Sequence, residues 1–80
     1  MTAPHIVVVA RARDPHRQAE ALRAALGLTL RGATVEVVVD EPLLSPLAQR
    51  AADTLRSFGH SLTTDLAAAL ARATVVEVWT

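Results

Sequence analysis

Two short runs rich in β-branched residues constrain this chain most. They are HIVVVA at 5–10 and TVEVVV at 34–39. The first run has no polar alternation, which is typical of a strand in the interior of a parallel sheet, where helices cover both sides. Because parallel neighbours need a crossover connection, the segment between the two runs is expected to form a helix. The sequence therefore predicts a strand, a helix and a second, parallel strand.

Two dipeptides mark helix starts, Asp14-Pro15 and Ser45-Pro46. In each, a side-chain acceptor suited to the N-cap precedes a proline suited to the first turn. Gly32 and Gly59 are the expected ends, and Gly32 fits a left-handed C-cap. Helical spacing predicts the buried stripes: Ala19, Leu22, Leu26 and Thr29 or Leu30 on the first helix, and Leu47, Ala48, Ala51, Ala52, Leu55 and Phe58 on the second.

The remaining chain is predicted to add a short third strand at His60–Leu62, a short helix and a last strand at Thr74–Trp79. Thr63 or Thr64 is the expected cap of that helix, with Asp65 in its first turn and Arg72 in its last. The last strand only half alternates, which is typical of a sheet edge. We expect one domain over 1–80 with an α/β fold: a small parallel or mostly parallel four-stranded sheet with helices on both faces.

Three helices, one of them short, would cover both faces of such a sheet poorly. Self-association into a dimer or trimer would cover the rest. The apolar arc of the first helix is wide enough to suggest a partner surface at Ala21, Ala24, Ala25 and Leu28. The alternative is that alanines are simply good surface helix formers.

Composition argues against several classes of partner. Eight arginines balance eight carboxylates, so the whole chain has no net attraction for nucleic acid or anionic lipid. Phe58 and Trp79 are too few aromatics for a base-stacking platform. No apolar run approaches the roughly 18 residues of a membrane span, and the first residues do not resemble a signal peptide. A cytoplasmic protein without a nucleic-acid or membrane partner is the expectation.

Most catalytic chemistries lack their residues. The chain has no cysteine, which removes disulfides, thiolate zinc sites and thiol nucleophiles. His5, His16 and His60 lack metal-ligand spacing, and local hydrogen bonding or solvation is the expected role of each. Glycines that could cradle a phosphate are absent between Ile6 and Arg17, and the serines lack a nucleophile elbow. We expect no catalytic residue, no metal and no cofactor.

One loop could still bind an anion. It follows the first strand and leads into the first helix, where free amides and ligand crevices occur in α/β folds. Its candidate residues are Arg11, Arg13, His16 and Arg17. The alternative is a solvated ion-pair cluster in which Arg11 and Arg13 pair with the acids after the second strand.

Three further residues are candidates for the same crevice: Asp40, Glu41 and His60. Asp40 and Glu41 directly follow the second strand. His60 could act as an acid or base there, provided that it faces the crevice.

The order of elements resembles the DsrE/DsrF/DsrH-like (Tus-type) sulfur-relay family. The likeness rests on HIVVVA, the helix QAEALRAALGLTLRG and the strand TVEVVVD with its acidic Asp40. Asp65-Leu66 on a short helix, followed by a valine-rich strand that ends at Trp79, is similar to the small DsrH-like branch. The resemblance implies an α/β fold and assembly into homodimers, homotrimers or hetero-oligomers.

The chain departs from that family at its chemistry. Active members carry a cysteine that passes sulfur as a persulfide, and this chain has none. The middle is also shorter than in longer relatives. The resulting expectation is a non-catalytic oligomeric module, structural or regulatory, with a cysteine-bearing sulfur-relay protein as its candidate partner. The alternative is a small-anion or phosphometabolite-binding protein or enzyme that uses Arg11, Arg13 and His16, with His60 as proton donor.

Overall fold

Strands and helices alternate along the whole described chain. The computed structural model describes residues 4–11, 13–40, 43 and 45–79. The elements are β1 (His5–Ala10), α1 (Pro15–Thr29), β2 (Thr34–Val39), α2 (Pro46–Ser57), β3 (Ser61–Thr63), α3 (Leu66–Arg72) and β4 (Val75–Trp79). The predicted third strand is confirmed one residue later than expected.

The four strands form one sheet in the order β3-β2-β1-β4, and every neighbouring pair is parallel. From β1 to β3 the chain moves across the sheet in one direction, and it then returns past β2 and β1 to add β4. Right-handed crossovers place α1 and α2 on one face and α3 on the other. The predicted α/β fold with a parallel four-stranded sheet is confirmed, and β4 is an edge strand as expected.

Alternate side chains of the two central strands enter two separate cores. The larger core lies under α1 and α2, where Leu22 and Leu55 are the largest fully buried side chains. Its strand residues are Val8, Ala10, Val35, Val37 and Val39. The smaller core lies under α3 and contains Val7, Val9, Val38 and Ala69.

Each helix begins at a side-chain cap. The carboxylate of Asp14 accepts from the His16 amide at 2.9 Å, and the Ser45 hydroxyl accepts from the Ala48 amide at 3.1 Å. Asp65, not Thr63 or Thr64, caps α3 by accepting from the Ala68 amide. Thr63 instead accepts a hydrogen bond from the Asp65 amide, so it fixes the approach to the cap.

The turn after α2 depends on Gly59, whose φ of +83° is strained for other residues. The Gly59 amide donates to the Arg56 carbonyl and the His60 amide donates to the Leu55 carbonyl. These two bonds form a Schellman motif, which satisfies the last carbonyls of the helix. Gly32, with a φ of +79°, lies two residues beyond the C-cap Leu30 of α1.

Three predicted core residues are exposed. Leu30 is 89% exposed, Phe58 is 67% exposed and Leu47 is 58% exposed. Phe58 was expected in the core because it continues the Leu55 stripe. However, it is the C-cap residue of α2, with φ −94° and ψ 11°, so helical spacing no longer controls its direction. Leu30 occupies the same position after α1.

The proposed partner surface on α1 is also wrong in its main residues. Ala21 and Ala25 are fully buried and belong to the larger core, together with Ala48 and Ala51 of α2. The small side chains widen the apolar arc of α1 because that helix packs against α2 as well as the sheet. Leu28 packs against the same core.

We predict that Leu55→Ala lowers the free energy of unfolding by about 2–5 kcal/mol, because it empties a fully buried position. The matched control is Phe58→Ala, three residues on, which should cost less than about 1 kcal/mol because most of that ring is already in water. Urea unfolding followed by circular dichroism measures both. Equal losses would contradict this description of the core.

Candidate functional site

Part of the predicted anion-binding loop lies at the end of the sheet where the strands have their carboxyl ends. Arg11 follows β1 and Asp40 follows β2, and the Arg11 Nε donates to the Asp40 Oδ1 at 3.0 Å. Both side chains are about half exposed, so this ion pair contributes little stability. The ion-pair alternative therefore describes Arg11 and Asp40 correctly, whereas Glu41 lies outside the described residues.

The start of α1 is already occupied by a carboxylate. Asp14 accepts from the His16 amide, and the His16 Nε2 lies 2.9 Å from the Glu20 Oε1. Arg17 lies over the Trp79 ring, with its guanidinium carbon 5.6 Å from the ring centroid. Negative charge thus already complements the positive end of the helix.

Arg13 remains as the candidate without an ion pair among the described residues, and it is exposed. Asp14 follows it directly in the chain, and Asp40 pairs with Arg11 at the same end of the sheet. Both carboxylates would repel an incoming anion. Anion binding at this loop stays a prediction, with Arg13 as the residue on which it depends.

His60 lies at the opposite end of the sheet from Asp40. It immediately precedes β3, whose first residue pairs with Glu36, and its Nδ1 accepts a hydrogen bond from the Val35 amide at 3.2 Å. Since Val35 is near the start of β2, this contact lies at the end of the sheet where the strands have their amino ends. The structure therefore does not bring His60 to the crevice residues, and it gives His60 a local structural role.

A buried carboxylate, Glu36, forms the most connected polar cluster of the described chain. It lies in the middle of β2 on the α3 face, with its side chain 4% exposed. Arg72 donates to both of its oxygens, one through Nε at 3.1 Å and one through a terminal nitrogen. The His5 Nε2 lies 3.0 Å from the Glu36 Oε1. Every carboxylate oxygen therefore has a partner.

This cluster attaches α3 to the sheet. The Arg72 hydrogen bonds hold the pKa of Glu36 below its usual value, with a smaller effect of the same sign from His5 and an opposing effect of burial. The same ion pair raises the pKa of Arg72. Arg72 is the last residue of α3 and β2 is a central strand, so the ion pair joins the second layer to the centre of the sheet.

Glu36 is not among the site residues predicted from the sequence. The available signal was its position as the single charged residue within TVEVVV, a strand otherwise made of β-branched residues. Charged residues are almost never fully buried unless they are paired. That pattern demands a cationic partner, but its identity depends on contacts 31 and 36 residues away.

An apolar surface remains uncovered beside α3. Val76 and Val78 of β4 pair in register with Val7 and Val9 of β1, so all four side chains lie on the α3 face. Val7 and Val9 are buried, whereas Val76 is 43% exposed and Val78 is 62% exposed. Leu70 on α3 is 43% exposed. We call Val76 and Val78, which lie two residues apart on one face of β4, the β4 surface.

Other kinds of site find no support in the described part of the chain. It contains no group of three side chains that could hold a metal ion. Nor does any of its helices combine the length and apolar character needed to cross a bilayer.

Comparison with known proteins adds no assignment. No family model, no curated protein and no solved structure matches this chain.

We predict that Glu36→Gln lowers the free energy of unfolding by about 1–3 kcal/mol at neutral pH, because Arg72 and His5 lose their charged acceptor. The folded-state pKa of Glu36 is lowered, so its contribution is complete above the unfolded-state value and is lost as the pH falls through the folded value. The difference between the two proteins should therefore be largest above about pH 5 and shrink in acid.

The control for this prediction is Asp40→Asn, which removes the exposed ion pair with Arg11. It should change the free energy of unfolding by less than about 1 kcal/mol. Thermal unfolding of the three proteins between pH 3 and pH 8 measures the effect. A Glu36→Gln loss that does not depend on pH would contradict an ionised, paired Glu36.

Proposed function

We propose that this chain is a non-catalytic, oligomeric DsrE/DsrH-like module that has a structural or regulatory role beside a cysteine-bearing sulfur-relay protein. The observation that carries the proposal is the β4 surface, an exposed apolar area on a sheet with one short helix on that face. Exposed apolar side chains that adjoin one another are typical of interaction sites.

The geometry of α3 explains why that surface is open. The helix has seven residues and buries Ala69 against Val7, Val9 and Val38 of the two central strands. Beside β1, the same face continues on β4 without a covering helix. Removing the exposed parts of Val76 and Val78 from water would contribute on the order of 2 kcal/mol per copy. A partner that covers them thus completes the second layer.

The sulfur-relay part of the proposal is supported by the resemblance in sequence. The α1 helix, the left-handed Gly32 and β2 follow one another in the order that the resemblance implies. Because the chain has no thiol, its contribution would be through contact and assembly.

We predict that the purified chain self-associates reversibly at micromolar to millimolar concentration, and that Val76→Thr with Val78→Thr shifts it toward monomer at least fivefold. Threonine keeps the β-branched shape but adds a hydroxyl to each exposed side chain, so burial becomes less favourable. Analytical ultracentrifugation over a concentration series measures the shift.

The matched control is Leu30→Thr, since Leu30 is an exposed apolar residue at the far end of α1. It should leave the association constant unchanged. A wild-type chain that remains monomeric at millimolar concentration would refute the proposal, as would equal effects of the two variants.

We also predict that the chain takes up no sulfur when it is incubated with a persulfide-bearing donor protein carrying radiolabelled sulfane sulfur. The donor band serves as the positive control on a non-reducing gel. Label that remains on this chain after denaturation would show covalent sulfur loading and would contradict a non-catalytic role.

A further inference from the structure

We infer that His60 is a pH-sensitive switch for one corner of the sheet. In its neutral form the imidazole joins the start of β3 and the end of α2 to the central strand β2. Uptake of one proton by this ring releases residues 59–63, which we call the β3 corner, while α3 stays attached to the sheet. The inference concerns regulation of the fold and does not depend on the proposed assembly.

His60 has contacts with three elements. Its backbone amide donates to the Leu55 carbonyl at 3.0 Å, near the end of α2. Its ring Nδ1 accepts from the Val35 amide of β2 at 3.2 Å. The next residue, Ser61, begins β3. A change at this one side chain therefore affects how α2, β2 and β3 meet.

The Val35 amide depends on the His60 ring for its acceptor. The Thr34 amide donates to the Pro4 carbonyl at 3.0 Å, so the backbone groups of Thr34 point toward β1. Backbone groups alternate in direction along a strand, so those of Val35 point toward β3. However, the first residue of β3 pairs with Glu36, so Val35 lies just before the paired segment. The imidazole nitrogen takes the place of a backbone carbonyl at this position.

Accepting this hydrogen bond determines the protonation state of the ring. A neutral imidazole has one nitrogen that donates and one that accepts, whereas both nitrogens of the protonated ring are donors. Because the Nδ1 of His60 faces a backbone N–H, the hydrogen of the neutral ring is on Nε2. A second proton, on Nδ1, would place two donors opposite each other. The bond to Val35 therefore exists only while the ring is neutral.

Loss of this bond favours local opening of the β3 corner. Val35 is fully buried, and a buried N–H without an acceptor is unfavourable. The strand β3 has three residues and lies at the edge of the sheet, so a single strand, β2, holds it in place. When the corner opens, water reaches the Val35 amide and supplies an acceptor. Segments with so few contacts open without unfolding of the whole domain.

His5, which lies at the same end of the sheet, responds to protonation in the opposite way. Its Nε2 lies 3.0 Å from the Glu36 Oε1. A carboxylate oxygen can only accept, so this Nε2 carries a hydrogen in both the neutral and the protonated ring. Protonation adds a charge to the hydrogen bond and strengthens it. The contacts that join β1, β2 and α3 are therefore retained in mild acid, when the contact of His60 is lost.

An ion pair that could compensate a proton on His60 is absent among the described residues. The elements packed against β3 are β2 and α2. The one charged residue of β2 is Glu36, and its oxygens are bonded to Arg72 and His5. The charged residues of α2 are all exposed to solvent: Arg50, Asp53 and Arg56. Protonation of His60 therefore removes a hydrogen bond without adding an ion pair.

Hydrogen exchange of individual amides, measured by NMR at about pH 7.5 and about pH 5.5, tests the inference across the range in which histidine titrates. We expect the protection of the Val35 amide, relative to its intrinsic exchange rate, to fall about tenfold in acid. The Val37 amide also points toward β3 and should lose protection with it. The Thr34 and Glu36 amides point toward β1 and should keep theirs. Alternate residues of one strand thus serve as internal controls.

The matched variant is His60→Asn, because the side-chain oxygen of asparagine can take the place of Nδ1 and accepts at every pH. Its Val35 amide should be equally protected at both pH values. The variant keeps His5 and His16, so an acid effect that those residues cause would persist in it. His60→Ala has no acceptor, and its Val35 amide should exchange fast at both pH values. If circular dichroism shows that His60→Ala does not fold, the comparison of the wild type with His60→Asn decides.

Three results would overturn the inference. The first is equal protection of the wild-type Val35 amide at both pH values. The second is an acid effect of the same size in His60→Asn. The third is an equal loss of protection at Thr34 and Glu36, which would indicate opening of the sheet as a whole. A long-range ¹⁵N spectrum of the neutral imidazole supplies an independent check, since a hydrogen on Nδ1 would contradict the bond to Val35.

Discussion

Coverage of a parallel sheet on both faces is the constraint on which this structure depends. The valines of β1 and β2 enter both faces of the sheet, so each face needs a layer of helix. Two long helices share one face, and their small residues, such as Ala21 and Ala51, allow them to pack closely. The other face has seven helical residues. The imbalance between the layers leaves the β4 surface exposed.

The ion pair of Glu36 with Arg72 compensates for the small size of the second layer. An apolar contact through Ala69 alone would hold α3 weakly, because alanine buries little surface. The ion pair with Glu36 also orients the helix. Arg72, at the end of α3, bonds to a single position on β2, and this contact favours one orientation of α3 over the sheet. Burying that charge is costly without its partners, which is why His5 and Arg72 together satisfy both oxygens.

Local chemistry made most of the fold predictable. Asp14-Pro15, Ser45-Pro46 and the valine runs determine where elements begin through capping and β-branching, and the structure has them there. Phe58 and Leu30 were misplaced because helical periodicity was extended past the last helical residue. Glu36 was missed since its partners come from β1 and α3, which no local pattern identifies. Among the residues of the predicted crevice, the Arg11–Asp40 pair was predictable because the two residues follow neighbouring strands. His60 lies at the other end of the strands, because β3 starts directly after it.

The return of the chain from β3 to β4 also affects how the molecule can fold. β1 is the first strand to be synthesised, yet it becomes an interior strand only when β4, about 70 residues later, pairs with it. Until then the valines of β1 border an open backbone edge, and closing so distant a contact is slow. A nascent chain that stops before Val75 would expose the unpaired edge of β1 to other polypeptides. Pairing with β4 therefore protects β1 from aggregation.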